Sequence, residues 1–146
     1  MYFEEFSLGQ VFTVGPISLS AEEIQEFAAK YDPLPIHTDP AFAADSFFEG
    51  LIASGFHTLV AIWGEWTRQN RLGAEVIGGL GLDYLQWKAP VRPGDELRAE
   101  IVVSELRPSS KPGRGIVGMK TTVTNQRGET VLVTQVKALM KAKGGA

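Results

Sequence analysis

The second half of the chain alternates apolar and polar residues in four stretches, and this pattern constrains the fold more than any other feature. Such alternation is typical of half-buried β-strands. It predicts strands over residues 77–87, 97–106, 117–123 and 131–140, with a short first strand over 11–14. Proline, glycine and asparagine between the four stretches predict tight turns. Strands that follow one another through tight turns pair antiparallel, so we expect one antiparallel sheet.

The first half is predicted to be helical. Ser20 and Glu23 have the spacing of a capping box, in which each side chain binds a free backbone N–H of the other residue. Apolar residues at helical spacing follow, and Pro33 ends this first helix. Asp39 then predicts the N-cap of a short helix over about 41–47, because a proline follows it at the first helical position.

A third helix is predicted from about residue 55 to residue 70. One apolar stripe of this helix consists of Phe56, Leu59, Val60, Trp63 and Thr67. Other apolar residues lie off that stripe, and a helix that is apolar over much of its circumference is usually buried. Helices segregated from strands indicate an α+β protein. The simplest arrangement wraps the sheet around this helix, which is the hot-dog layout, and leaves open sheet edges that a dimer can cover.

Length and composition exclude several classes of protein. The 146 residues have the size of one domain, so we expect residues 1–146 to form a single unit. The net charge of −3 provides no basic field for nucleic acid. The absence of cysteine excludes disulfides, a thiol nucleophile and thiolate metal sites. The N-terminus does not resemble a signal peptide, and no apolar run is long enough to cross a membrane. We therefore expect a soluble cytoplasmic protein.

A loop after the first helix contains the best candidates for chemistry, Asp32 and His37. The prolines at positions 33 and 35 restrict the path between them, so both side chains can turn toward one point. A histidine titrates near neutral pH, and a carboxylate can orient its ring, so this pair suits the activation of water. The same spacing also occurs where an aspartate caps a turn and a histidine merely packs.

Ser54 and Gly55 directly precede the third helix. A glycine at a helix N-terminus lets a substrate oxygen approach the free backbone N–H groups, where the helix dipole also favours negative charge. The plainer interpretation is a capping serine and a loop glycine. We interpret His57, in the first turn of an apolar helix, as a core residue.

Residues that contact a substrate are harder to predict. Apolar side chains that could line an acyl pocket are Phe47, Phe48, Leu51, Ile52 and Trp63. Ordinary core packing explains the same residues, and large apolar side chains usually have that role. Basic side chains that could meet the phosphates of coenzyme A are Lys88, Arg92, Lys111 and Arg114, although basic residues in turns are usually only solvated.

Residues 31–44 and 50–58 together resemble the hydratase motif of the MaoC-like dehydratase family, which comprises R-specific enoyl-CoA hydratases of the hot-dog superfamily. The matching positions of that motif are Asp32, Pro35, His37 and Asp39. The chain has Leu34 where the family has Asn or Gln, and Ser54 where many members have His.

The resemblance implies a reaction and a set of roles. Asp32 and His37 would hold and deprotonate a water molecule, which adds to C3 of a trans-2-enoyl thioester and gives an R-3-hydroxyacyl thioester. The Gly55 N–H would donate a hydrogen bond to the thioester carbonyl, and Ser54 would lie beside the substrate. The substrate would be a thioester of coenzyme A or of acyl carrier protein, with no metal or redox cofactor. The protein would be a homodimer or a dimer of dimers.

Two alternatives remain open from the sequence. A hot-dog thioesterase would attack the thioester carbon and usually carries its acid on the central helix, where Glu65 is the only acid of this chain. A non-catalytic acyl-binding subunit of a heterodimeric dehydratase would need neither Asp32 nor His37. The presence of both residues favours a hydratase.

Overall fold

One five-stranded antiparallel sheet organises the protein. The computed structural model describes residues 1–144. The strands are β1 (Val11–Ile17), β2 (Val76–Trp87), β3 (Leu97–Pro108), β4 (Arg114–Thr124) and β5 (Thr130–Lys141). Their order across the sheet is β1-β3-β4-β5-β2, so β1 and β2 form its two edges. The predicted strands are confirmed, and most extend a few residues beyond the predicted ends.

Four helices accompany the sheet. They are α1 (Ala21–Tyr31), α2 (Pro35–Thr38), α3 (Pro40–Ala44) and α4 (Gly55–Arg68). The long helix α4 contacts β1 and β5, and the Trp66 ring lies 4.8 Å from the ring of Phe12 on β1. Apolar side chains of the sheet and of α4 share one core. The α+β hot-dog layout is therefore confirmed.

Local capping signals were reliable. Ser20 and Glu23 form the expected capping box at the start of α1. The Asp39 carboxylate accepts hydrogen bonds from the first N–H groups of α3, as expected of an N-cap. Where the sequence predicts a loop, however, residues 35–38 form the one-turn helix α2, because a proline is compatible with a first helical turn. The predicted helix over 41–47 is shorter and ends at Ala44.

The buried face of α4 differs from the predicted stripe. Phe56, Val60 and Trp63 of that stripe are exposed, whereas Ile62 and Trp66 are buried against the sheet. Two apolar stripes run along this helix, and the spacing of residues alone does not tell which one faces the sheet. The sequence predicts a buried helix, whereas in the single chain only one of the two apolar faces of α4 is buried.

The end of the chain is more ordered than predicted. The sequence after the last predicted strand, residues 141–146, predicts a frayed tail, but Lys141 is the last residue of β5. The N–H of Ala142 donates to the carbonyl of Gly113, and that of Lys143 donates to the Glu4 carboxylate. The rest of the predicted tail, at positions 145 and 146, lies outside the described residues. Within residues 1–144, none of the helices has the length and apolar character needed to cross a membrane.

Candidate active site

A cavity of about 500 Å³ opens beside the first turn of α4. Its walls come from the α1–α2 loop, the start of α4, the end of β2 and the segment that follows β2. The lining residues most relevant to chemistry are Asp32, Leu34, His37, Phe48, Gly55, Phe56, Thr58, Trp87 and Lys88. Most of the lining surface is apolar, so a small number of polar groups lie within an otherwise apolar cavity wall. That combination is typical of sites for small molecules.

Asp32 is held by its own backbone and by a neighbour. It caps the C-terminus of α1, where its N–H donates to Ala28 and its carbonyl accepts from Leu34. Its side chain accepts a hydrogen bond from the Ser54 hydroxyl, with 2.7 Å between Ser54 Oγ and Asp32 Oδ2. The carboxylate is therefore fixed in position and keeps its remaining lone pairs available toward the cavity.

The ring of His37 is buried and oriented by a carbonyl group. Its Nδ1 lies 2.8 Å from the carbonyl oxygen of Ile52, and its Nε2 lies 3.5 Å from Asp32 Oδ2. A carbonyl oxygen only accepts hydrogen bonds, so Nδ1 carries the proton in the neutral ring. The lone pair of Nε2 then points toward the carboxylate. Two acceptors that face each other in this way can share a water molecule or a hydroxyl group between them.

The extended segment before α4 connects these groups. The Ile52 N–H donates to Ile36, and the Ala53 N–H donates to Val91 in the segment after β2. The next residue, Ser54, is fully buried and donates to Asp32. One short piece of buried backbone thus aligns the histidine, the carboxylate and the start of α4.

Gly55 is required by a close approach of Trp87. A Cβ added at Gly55 would overlap the Trp87 indole, which also meets the Phe56 ring edge-to-face at 5.1 Å between centroids. The indole therefore packs directly on the backbone at the start of α4. Any larger residue at position 55 would move either Trp87 or the helix end.

The first N–H groups of α4 remain free. A serine at an N-cap normally accepts a hydrogen bond from the first turn. The Ser54 side chain makes no such bond, because its hydroxyl donates to Asp32. Within the described part of the chain, the N–H groups of Gly55 and Phe56 have no hydrogen-bond partner, and both residues line the cavity. These donors and the helix dipole favour an oxygen with developing negative charge.

The structure brings some predicted substrate residues to the cavity and leaves others elsewhere. Phe48 lines the cavity, and Ser54 lies behind Asp32. Leu51 is packed in the core and Trp63 lies on the exposed side of α4, and neither is among the residues that line the cavity of the single chain. Trp63 is five positions after Thr58, which turns it about 140° around the helix from that lining residue.

The charged candidates are also separated. Lys88 lines the cavity, whereas Arg92 donates to the carbonyl of Phe48 and ties together two segments of the cavity wall. Lys111 lies in the β3–β4 connection and Arg114 is the first residue of β4, both at the opposite end of the sheet from the cavity. Glu65 points away from the cavity and pairs with Arg68 at 2.7 Å. Its placement does not suit a thioesterase acid.

Three buried polar atoms of α4 have no hydrogen-bond partner among residues 1–144: His57 Nδ1, Thr58 Oγ1 and Trp66 Nε1. His57 stacks on Phe27, with 4.4 Å between ring centroids, and burial lowers its pKa while the charge of Glu23 partly opposes this effect.

Our sequence interpretation did not single out Thr58 or Trp87 as cavity residues. Thr58 carried a signal, since it is a polar residue four positions after Ser54 on an apolar helix. Trp87 carried none.

Among residues 1–144, no group of three or more His, Asp or Glu side chains is arranged to hold a metal ion. The remaining polar groups of the cavity are those of an acid–base site. Their arrangement can position a small polar molecule against Asp32 and His37 while the start of α4 binds an oxygen.

Comparison with known proteins identifies the family. The family model described as MaoC like domain matches residues 5–125, and the chain therefore belongs to the MaoC-like domain family. The chain is 30% identical over 141 residues to the uncharacterized protein YdeM of Bacillus subtilis, covering 97% of this chain and 99% of that protein. It is 30% identical over 149 residues to the (R)-specific enoyl-CoA hydratase of Rhodospirillum rubrum, covering 98% of this chain and 94% of that enzyme.

A solved structure shows the same architecture. The MaoC-like dehydratase from Rhodospirillum rubrum superimposes with a TM-score of 0.90 at 34% sequence identity, and the match covers 98% of both chains. Relatives of this chain thus include proteins named as enoyl-CoA hydratases and dehydratases.

Proposed function

We propose that this protein is a hydratase that adds water to a trans-2-enoyl thioester, or removes it in reverse. The observation that carries the proposal is the pair of acceptors at the cavity, Asp32 Oδ2 and His37 Nε2, which lie 3.5 Å apart. The hydrogen bonds from Ser54 and to Ile52 hold both groups in place. The relationship to an (R)-specific enoyl-CoA hydratase supports the R configuration for the product.

In the proposed reaction, one water molecule donates its two hydrogens to Asp32 and His37. His37 Nε2 takes a proton as the water oxygen bonds to C3 of the conjugated double bond. The electron pair of that double bond moves toward the thioester carbonyl. Its return to C2, together with transfer of the proton from His37 to C2, completes the addition and restores the neutral ring. A water molecule that adds across a double bond changes no net electron count, so the proposal needs no redox cofactor.

Negative charge develops on the thioester oxygen during the addition. We assign its stabilisation to the N–H of Gly55 at the start of α4, where the diverted Ser54 side chain leaves the donor free. A donor that is aligned before the reaction contributes more than one that must reorganise. Among the described residues that line the cavity, the exposed Lys88 is the lysine or arginine that a phosphate of coenzyme A or of acyl carrier protein could meet.

The proposal is tested by the ultraviolet absorbance of crotonyl-CoA, with a free-thiol assay in parallel. We expect the wild-type protein to bleach the conjugated enoyl band without thiol release. Asp32→Asn and His37→Ala should each lose about 10²- to 10⁴-fold in kcat, the range for removal of a general acid or base. Asp45→Asn, which neutralises an exposed aspartate outside the cavity, serves as the matched control.

Other outcomes would change the assignment. Thiol release that needs Asp32 would indicate a thioesterase. No reaction with short, long or branched enoyl thioesters would favour the non-catalytic partner subunit, and copurification of a second hot-dog chain would support that alternative.

We also propose that two copies of the chain form a homodimer through β2. This edge strand has unpaired N–H and C=O groups on its outer side and exposes Val76, Ile77, Leu80, Leu82 and Trp87. The exposed residues Phe56, Val60 and Trp63 extend the apolar surface onto α4. A second copy of β2 can satisfy the open edge, and large exposed apolar surfaces usually mark such contacts.

Analytical ultracentrifugation tests the dimer. We expect the wild-type mass to be at least twice that of the chain and Leu80→Asp to shift it toward the monomer. Leu8→Asp changes a leucine that is even more exposed, in the turn before β1, and should leave the mass unchanged. A monomeric wild-type protein at micromolar concentration would contradict the proposal.

A further inference from the structure

Thr58 is a buried polar residue of the cavity wall whose hydroxyl has no partner. Its side chain is 1% exposed, and Oγ1 makes no hydrogen bond within the described part of the chain. Thr58 lines the cavity and lies four positions after Ser54, one turn further along the same face of α4. It therefore lies further along the helix than Gly55.

Other helical threonines show what a hydroxyl without a ligand does. Thr67 of α4 places Oγ1 3.0 Å from the carbonyl oxygen of Trp63, and Thr38 of α2 places Oγ1 3.2 Å from that of Leu34. Both bind the carbonyl four positions earlier, which is the usual local solution for a threonine in a helix. Thr58 does not, although burial makes an unpaired hydroxyl more costly there than at either of the other two positions.

Packing does not explain the hydroxyl either. A valine has nearly the same shape as a threonine, and the neighbouring cavity residues include the apolar Val91 and Val131. A purely structural role would be filled at least as well by valine, since a buried unpaired polar group lowers stability. The hydroxyl at this position therefore points to a polar partner that enters the cavity.

We propose that Thr58 determines substrate specificity by hydrogen-bonding a neutral polar group, a hydroxyl, on the acyl chain just beyond C3. This inference rests on the proposed hydratase function, which places C3 of the substrate at Asp32 and His37 and the thioester carbonyl at Gly55. A hydroxyl fits because Thr58 can both donate to it and accept from it. A carboxylate fits poorly, because the Asp32 carboxylate is already in the cavity and Lys88 is the one lysine or arginine among the described residues that line it.

The test uses two substrates of equal size, 4-hydroxybut-2-enoyl-CoA and trans-2-pentenoyl-CoA, which differ by a hydroxyl in place of a methyl group. We expect the wild-type protein to have the higher kcat/KM for the hydroxylated substrate. Thr58→Val should lower that kcat/KM about 10- to 100-fold relative to the pentenoyl value, the loss expected for one buried hydrogen bond. Thr58→Ser keeps the hydroxyl and should retain the preference.

Thermal unfolding separates this role from a structural one. Thr58→Val should have the same Tm as the wild type or a higher one, because it removes an unpaired buried hydroxyl. Thr67→Val, at the exposed end of the same helix, is the matched control and should leave the substrate preference intact. A lower Tm of Thr58→Val together with equal losses on both substrates would overturn the proposal.

Binding of saturated analogues distinguishes this inference from the hydratase function. Calorimetry with 4-hydroxybutyryl-CoA and pentanoyl-CoA requires no turnover. If the wild type hydrates no enoyl thioester but binds the hydroxylated analogue more tightly, and Thr58→Val loses that difference, the role of Thr58 stands and the hydratase function fails. Equal affinity for both analogues in wild type and variant would refute the role of Thr58. Tighter binding of a carboxylate analogue of the same length would refute the assignment to a neutral group.

Discussion

The two ends of α4 use their polar side chains in opposite ways. In the last turns, the Thr67 hydroxyl binds carbonyl groups of its own helix, and Arg68 pairs with Glu65 on the helix surface. In the first turns, the Ser54 hydroxyl donates to Asp32 outside the helix, and the Thr58 hydroxyl has no hydrogen-bond partner among residues 1–144. The polar side chains at the C-terminal end of α4 are thus used in bonds within the helix. At the N-terminal end, hydrogen-bond donors remain available beside the cavity. This difference marks the end that is organised for a ligand.

Gly55→Ala should have the largest effect in this comparison. The new Cβ would overlap the Trp87 indole, so the helix start, the indole or both must shift. We expect a loss of about 10²-fold or more in kcat, because displacement of an aligned oxyanion donor costs at least that much. Steady-state kinetics with crotonyl-CoA measures the loss.

Gly64→Ala provides the control for this substitution on the same helix. The nearest atoms to its new Cβ belong to the flexible end of the Arg68 side chain. The change should leave kcat unaltered and stabilise the protein by about 0.5–1 kcal/mol, since alanine is the better helix former. Equal kcat losses at positions 55 and 64 would show that the two helix ends do not differ.

Ser54→Ala should have a moderate effect on both activity and stability. It removes the hydrogen bond that fixes the Asp32 carboxylate, so we expect kcat to fall about 10-fold and the free energy of unfolding to fall by about 1 kcal/mol. Kinetics and urea denaturation measure the two effects. Thr67→Val at the other end should change stability by less than about 0.5 kcal/mol, as exposed substitutions usually do. An unchanged kcat in Ser54→Ala would show that the hydrogen bond from Ser54 to Asp32 does not contribute to activity.

The smallest effect concerns pH and His57. Burial lowers the pKa of His57 in the folded protein below its ordinary value of 6.5. The unfolded chain then binds more protons than the folded one at acidic pH. The contribution of His57 to the free energy of unfolding is therefore fully present above pH 6.5 and is lost as the pH falls below that value. His57→Phe keeps a ring to stack on Phe27 and should weaken this dependence between about pH 7.5 and 5.5.

Urea denaturation of both proteins at several pH values in that range gives the comparison. Identical pH dependence in wild type and variant would show that His57 does not contribute. A steeper loss in the variant would have the wrong sign for a histidine that is kept neutral by burial.

Features that depend on neighbouring residues in the chain were predictable, and features that depend on distant contacts were not. The capping box at Ser20 and the alternation of the strands follow from local hydrogen bonding and periodicity. The Asp32 and His37 pair was identified from a short proline-containing loop. The face of α4 that contacts the sheet was not, because both of its stripes are apolar. The approach of Trp87 to Gly55 depends on how the end of β2 meets a helix that begins far from it in sequence.

The most direct test of the central claim is hydration of crotonyl-CoA in water labelled with ¹⁸O, with mass spectrometry of the product. If Asp32 and His37 direct water to C3, one labelled oxygen should appear in the 3-hydroxyl group of an intact CoA thioester, and Asp32→Asn should slow its incorporation by about 10²- to 10⁴-fold. A label found in a free carboxylate, with release of the thiol, would show attack on the thioester carbon and contradict the account.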